Sequence, residues 1–159
     1  MIILPDHLWN GLLQQFHRTR RQVERVAYLD GLSLDDSLAV VTTMVIPNAD
    51  LYPRHFAVSA AAMSEAGQHF RRFGLQRLAQ VHSHPGKWVE HSEHDDEMAY
   101  SQHSGALSIV VPYHGRNLPS LAACGVHLRG EQGWVRLGPT DLPKLIRVVP
   151  GFLDFRRHE

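Results

Sequence analysis

Apolar positions along the chain change period several times, and each change marks an element. Leu8, Leu12, Leu13 and Phe16 recur at helical spacing behind Asp6, a candidate cap, and predict a first amphipathic helix. Val23 to Leu29 and Leu38 to Ile46 are rich in β-formers and predict strands joined by a polar turn, Asp30 to Ser37. Pro47 to Arg54 holds two prolines, Asn48 and Asp50 and predicts a loop. Ala60, Met63, Gly67 and Phe70 then return to helical spacing, giving a second helix with those residues turned inward. Leu78 to Val81 predicts a short strand, and Ser92 a cap for a third helix running to about His103. Leu107 to Val111, Leu121 to Leu128 and Trp134 to Leu137 predict the remaining strands, the last two joined by a hairpin turn at Gly130 to Gly133. From Gly138 to Glu159 the pattern is mixed, with three prolines, and fits either a wrap around the domain or pairing with another subunit.

This order predicts an α/β (α+β) domain, helices around a mixed central sheet. A chain of 159 residues with 43% hydrophobic content buries one sizeable core, so residues 1–159 are expected to form one domain with 138–159 as its tail. Sixteen Lys and Arg balance sixteen Asp and Glu, so no net field recruits nucleic acid or an anionic membrane. The local basic cluster Arg18, Arg20 and Arg21 reads as a solvated helix end. Apolar runs are too short to span a bilayer, Met1 to Pro5 lacks the features of a signal peptide, and the single Cys124 fits a reducing compartment; the expected location is cytoplasmic. Cys124 lies in an apolar run, Ser120 to Val126, that predicts a buried strand and an inert thiol.

The chemistry is concentrated in His82-Ser83-His84-Pro85 and Ser92-Glu93-His94-Asp95. With 12 histidines, about one His-x-His pair is expected by chance. Requiring Pro85, Ser92 and Asp95 at their offsets lowers that to on the order of one in five thousand. Two imidazoles two residues apart at a strand exit share a face, and Asp95 in the first turn of the following helix returns a carboxylate to them. Three ligands, rather than the four of a structural site, predict a catalytic Zn²⁺ with an open position.

These residues resemble the JAMM motif of the JAB1/MPN metallopeptidases at every motif position, including the six-residue gap Gly86 to His91. The family also carries a glutamate on an early strand, and Glu24, in Glu24-Arg25-Val26-Ala27-Tyr28-Leu29-Asp30-Gly31, occupies that place. Ala27 and Tyr28 depart from the family's small and aliphatic residues there. The resemblance covers about residues 20 to 137 and is greatest to compact bacterial members. It implies the cytidine-deaminase-like MPN fold, with zinc on His82, His84 and Asp95, Glu24 as general base and Ser92 as oxyanion donor. It further implies an isopeptidase or precursor peptidase cutting after the terminal glycine of a ubiquitin-like protein, in the company of E1- and E2-like enzymes, including those of anti-phage operons. A RadC-like role in DNA metabolism and a non-catalytic MPN scaffold are the alternatives. Neutral charge opposes the first, and retention of all three ligands the second.

Secondary residues follow. Trp88, between the ligands, overhangs the expected cleft or packs its loop; Trp9 and Trp134 read as core or hairpin anchors. His91 and His94 read as solvated loop histidines, and Glu90, Glu93, Asp96 and Glu97 as acids favoured at a helix start. The cleft is expected between the loop Gly86 to His91 and the loop Pro47 to Arg54.

Overall fold

Most of the β-rich segments pair into one main sheet in which strands from near both ends of the described chain lie side by side. A computed structural model describes residues 1–18, 23–153 and 155. In chain order the elements are β1 (Ile2–Pro5), α1 (Asp6–His17), β2 (Val26–Ser33), β3 (Ala39–Val45), β4 (Ala49–Leu51), β5 (Phe56–Val58) and α2 (Ala60–Phe73), then β6 (Gln76–Ser83), α3 (Glu93–Glu97), β7 (Leu107–Val111), β8 (Gly125–Arg129), β9 (Trp134–Arg136), α4 (Leu142–Leu145) and β10 (Ile146–Val149). The main sheet has eight strands in the order β10-β1-β3-β2-β6-β7-β8-β9, and β4 and β5 form a separate hairpin. It is mixed: β10, β1 and β3 run parallel, as do β6 and β7, while the other neighbours are antiparallel.

Alternation along β2 sorts the two sides of the sheet. Ala27 and Leu29 join Val41, Ala79, Val81, Ile109 and Val126 under Trp9, Leu12, Leu13 and Phe16 of α1, which is the larger core. Val26 and Tyr28 point the other way, to Phe56 and Met63. At roughly 1.5–3 kcal/mol for each large apolar side chain removed from water, the α1 side dominates the stability.

Several expectations change here. Asp6 is the first residue of α1 rather than its cap, and its carboxylate instead accepts from the Gly151 N–H at 2.9 Å. The strand expected from Val23 is β2, which begins at Val26 and runs on through Asp30 to Ser33, leaving the turn at Leu34 to Leu38. Asp30 is fully buried because Arg77 Nε donates to it at 3.1 Å, a partner on β6 that no local pattern shows. The backbone shifts register there, and Gly31 is required, since a Cβ would meet Val40 O at 1.9 Å. In α2 the buried stripe is Ala62 and Ala66; Met63, Gly67 and Phe70 are half-buried and Ala60 is exposed. The third helix stops at Glu97. Leu121–Ala123 is a helical turn, so the strand starts only at Gly125. The terminal strands were invisible as four-residue runs whose partners lie at opposite ends of the chain. The tail's β10 adds to β1 of its own chain, Ile2 opposite Ile146. Of the basic cluster, Arg18 ends α1, while Arg20 and Arg21 lie outside the described residues. Trp9 is buried and its indole donates to Pro119 O at 3.1 Å.

Candidate metal centre and cleft

The centre forms where β6 and β7 end side by side. His82 is the penultimate residue of β6, paired between Val26 and Val110. His84 leaves the strand but stays clamped: its N–H donates to Val111 O and its carbonyl accepts from the His114 N–H, each at 2.9 Å. The two rings lie 5.1 Å apart on one side of the chain, as their spacing requires. Ser92 then caps α3 and brings Asp95 back to them. Ligand atoms of His82, His84 and Asp95 all lie within 4.8 Å of one another, and all three residues are buried. His82 Nε2 is 3.3 Å from Asp95 Oδ1, and His84 Nε2 is 3.5 Å from Asp95 Oδ2.

The donor atoms fit a divalent cation. His82 is 0% exposed, yet neither ring nitrogen has a hydrogen-bond partner among the described residues. Leaving a buried polar group unpaired costs about 1–3 kcal/mol, which coordination would recover. Burial holds the His82 ring below its usual pKa against the pull of Asp95, favouring the neutral ligand form. His84 Nδ1 faces the Trp88 carbonyl at 3.0 Å, an assignment that puts the proton there and turns Nε2 to the centre. Burial alone would raise the Asp95 carboxyl, but the close imidazoles of His82 and His84 and the Ser92 N–H hold it far below the usual range. Two imidazoles and one carboxylate are the ligand chemistry of zinc and its neighbours.

Glu24 arrives from outside the sheet. It precedes β2 and is anchored by its N–H donating to Tyr52 O at 2.8 Å, which ties it to the β4–β5 hairpin. Its Oε1 is 3.9 Å from His84 Nε2, and its buried Oε2 has no hydrogen-bond partner among the described residues. Burial pushes its carboxyl up to about 7, with His84 opposing and Asp95 adding to the rise. Ser92 is engaged as a capping box: its hydroxyl donates to Asp95 Oδ2 at 2.7 Å, and the Asp95 N–H donates to Ser92 Oγ at 3.2 Å.

A cleft of about 510 Å³ opens over these groups. Glu24, His84 and Ser92 line it together with Pro85, Gly86, Trp88 and His94, and Arg54 comes in from the β4–β5 turn. Both expected walls thus contribute, although the segment Pro47 to Arg54 is not a loop throughout: Ala49–Leu51 forms β4, and Arg54 follows it in the hairpin turn. Trp88 does both things considered for it, stacking on His84 with ring centres 5.2 Å apart while remaining 52% exposed in the cleft. His94 is exposed, as expected.

His91 is not a solvated loop residue. Its side chain is 4% exposed, and its ring bridges Asp96 Oδ1 at 2.8 Å and Ser108 Oγ at 2.9 Å while stacking on His127 at 4.1 Å. It therefore pins the ligand loop to β7 and β8. Trp134 meets the same ring edge-on at 5.1 Å. Glu90 serves His127 and Arg136 rather than the start of α3. Ser83 Oγ accepts from the Arg25 N–H at 3.2 Å and meets His114 Nδ1 at 2.9 Å, a second clamp behind the ligands. Arg54, Ser108, His114 and His127 carry no motif signal, because each acts on residues distant in the chain. Cys124 lies just before β8, 4% exposed, and burial pushes its thiol up to about 12.

No family model matches the chain. It is 36% identical over 77 residues to a probable metalloprotease of Sinorhizobium fredii, a stretch that is 48% of this chain and 47% of that protein. The match therefore spans about half the length of the curated relative. Among solved structures, a protein from Desulfitobacterium hafniense superposes with a TM-score of 0.73 at 20% identity, covering 100% of both chains. A JAB1/MPN domain protein from Archaeoglobus fulgidus gives 0.55 at 19% identity, over 94% of this chain and 99% of that one. The likeness to solved structures is one of fold, the expected α+β sheet flanked by helices. Among the described residues, no helix is long and apolar enough to cross a membrane.

Proposed function

We propose that this chain is a JAMM/MPN-type zinc-dependent peptidase acting on the glycine end of ubiquitin-like proteins; the JAB1/MPN-like fold, the His82–His84–Asp95 centre and the partial match to a probable metalloprotease support the reading. The observation that carries the reading is the pairing of a buried three-ligand centre with Glu24 Oε2, an unpartnered carboxylate oxygen beside an open cleft. Zinc on these ligands supplies a Lewis acid for the scissile carbonyl and lowers the pKa of water at the site. Glu24 takes the proton of the attacking water at its carboxylate and delivers it to the leaving amine. Such transfer contributes typically 10² to 10⁴-fold in rate. A carboxyl lifted by burial toward neutrality suits both halves of that task. The Ser92 hydroxyl, at the cleft wall, becomes the donor for the developing oxyanion by turning its proton away from Asp95 Oδ2.

The shape of the cleft supports the substrate reading. Trp88 and Pro85 crowd the approach to His84, which favours an extended tail without bulky side chains, and a Gly-ended tail has both properties. Both precursor extensions and isopeptide conjugates end this way, with E1- and E2-like enzymes as companions of the same substrate and the cytoplasm as the compartment.

The test is incubation of zinc-loaded protein with a panel of ubiquitin-like fusions, followed by intact mass. Cleavage after the terminal glycine is expected. Replacing that glycine by Val or Leu should slow cleavage at least tenfold, about 1.4 kcal/mol in the transition state. Equal turnover of the bulky variants, or activity on small peptides alone, would overturn the substrate class and leave a zinc peptidase.

A further inference from the structure

We infer that Arg54 is a carboxylate-recognition residue, and that the fragment released by this site carries a carboxylate close to the scissile bond. The inference rests on the peptidase reading above and narrows its substrate.

Arg54 is the single Lys or Arg among the cleft-lining residues, and among the described residues it has no hydrogen-bond or ion-pair partner. An Arg on an open surface with no partner would be unremarked. This one sits at the tip of a braced turn. The Tyr52 N–H donates to His55 O at 2.9 Å, extending the β4–β5 hairpin so that Pro53 and Arg54 are the two residues at its tip. The turn is stiffened from three directions. Pro53 restricts its own φ. The Tyr52 and His55 rings stack at 4.2 Å, and His55 meets His94 edge-on at 5.2 Å, joining the turn to α3. The Tyr52 carbonyl holds the Glu24 N–H, so the backbone that positions the base also positions the guanidinium. Side-chain entropy lost on binding is smaller for a fork presented from a rigid turn.

The direction of the cleft follows from chemistry. A general base that takes the water proton hands it to the leaving amine, so Glu24 marks the leaving-group end. Arg54 is the guanidinium close enough to act on the Glu24 carboxylate. The group Arg54 meets therefore belongs to the leaving fragment. A planar guanidinium with no hydrogen-bond or ion-pair partner among the described residues, and the single Lys or Arg of the cleft lining, matches a carboxylate in bidentate geometry. Two sources offer that group: the free C-terminus of a short extension and an acidic side chain near the cut. An amine leaving from a Lys side chain in the middle of a folded conjugate offers neither by necessity, so the inference favours removal of a short tail.

The experiment uses zinc-loaded protein and three leaving-fragment peptides, Ala-Ala with a free carboxylate, Ala-Ala amide, and Ala-Asp amide, measured by calorimetric binding. Matching glycine-ended fusions bearing the same extensions are followed by intact mass. At least one carboxylate-bearing peptide should bind about tenfold or more tightly than Ala-Ala amide, and which one does so identifies the source. Arg54→Gln should abolish that preference, bringing the carboxylate-bearing peptides down to the affinity of Ala-Ala amide and costing the acid fusions more cleavage than the amide fusion, and Arg54→Lys should restore part of it. A preference that survives Arg54→Gln would mean the carboxylate sits on the metal, and equal binding of all three peptides would mean no recognition; both overturn the inference. So would an equal loss of cleavage for acid and amide fusions in Arg54→Gln, which would make Arg54 a tuner of Glu24. An Arg54-dependent binding preference without cleavage of any fusion would uphold the carboxylate site and sink the peptidase reading.

Discussion

The Ser92 hydroxyl donates to Asp95 Oδ2 at 2.7 Å, so the residue that caps α3 also holds the carboxylate ligand. A helix of five residues has little stability of its own, and the capping box fixes both the start of the helix and the aim of its ligand. Ser92→Ala should therefore cost about 1 kcal/mol in stability and 10- to 100-fold in metal affinity, in addition to 10² to 10³ in kcat. Zinc titration beside turnover at saturating zinc separates the two roles; loss of affinity with full kcat would leave Ser92 as a cap alone.

Purified protein should carry about one equivalent of zinc, since its three ligand atoms lie within 4.8 Å of one another. His84→Ala should lose it. Elemental analysis decides, and stoichiometric zinc in that variant would refute the ligand assignment.

Glu24→Gln should lower turnover by about 10² to 10⁴ and leave the zinc content unchanged. Glu90 cannot take over, because it faces His127 and Arg136 away from the cleft-lining residues. Near-wild-type turnover in Glu24→Gln would remove Glu24 from the mechanism.

His127 supplies a pH dependence of stability. Burial, then the neighbouring His91, hold its ring down to about 4, with Glu90 opposing and Arg136 assisting. The folded pKa lies below the unfolded value of about 6.5, so the unfolded chain takes up the proton first. Stability is full above about 6.5 and falls as pH drops toward 4, by at most about 3 kcal/mol from this group. Denaturant melts of His127→Phe, which keeps an aromatic ring against His91, should show a flatter acid limb than wild type; identical limbs would contradict the assignment.

Gly125 brings β8 against the ligand loop, where a Cβ would lie 1.8 Å from Val89 O. Gly125→Ala should cost about 1–3 kcal/mol or more by overpacking. Gly11→Ala, in α1 with nothing within 4 Å of the added carbon, should instead stabilise by about 0.5–1 kcal/mol. Thermal melts of the pair compare them directly, and equal effects would reject the close approach.

Cys124, with its thiol pushed up to about 12 and buried, should resist alkylation in the native protein, and alkylating conditions should spare activity that a zinc chelator removes. Inhibition by both reagents would place the thiol at the site.

The clustering of His82, His84 and Asp95 was legible in the sequence because strand and helix periods are local. Two residues along β6 return His84 to the face of His82, and the cap at Ser92 sets Asp95 in the first turn of α3. The same locality made α1 and β7 readable from their apolar spacing. Where energy is settled by partners far along the chain, the pattern was silent. Asp30 looked like a turn residue until Arg77 paired with it inside the sheet, and His91 looked solvated until Ser108 and His127 enclosed it. The four-residue strands β1 and β10 hold through each other across nearly the whole described chain. Glu24 could be assigned a role by resemblance, but its unpartnered Oε2, its lifted pKa and the turn that sets Arg54 beside it exist only once Tyr52 binds its backbone. The convergence of these three side chains thus rests on short-range geometry that the amino-acid order determines. Burial, charge and the shape of the cleft are sums over long-range contacts, and only the tertiary structure decides them.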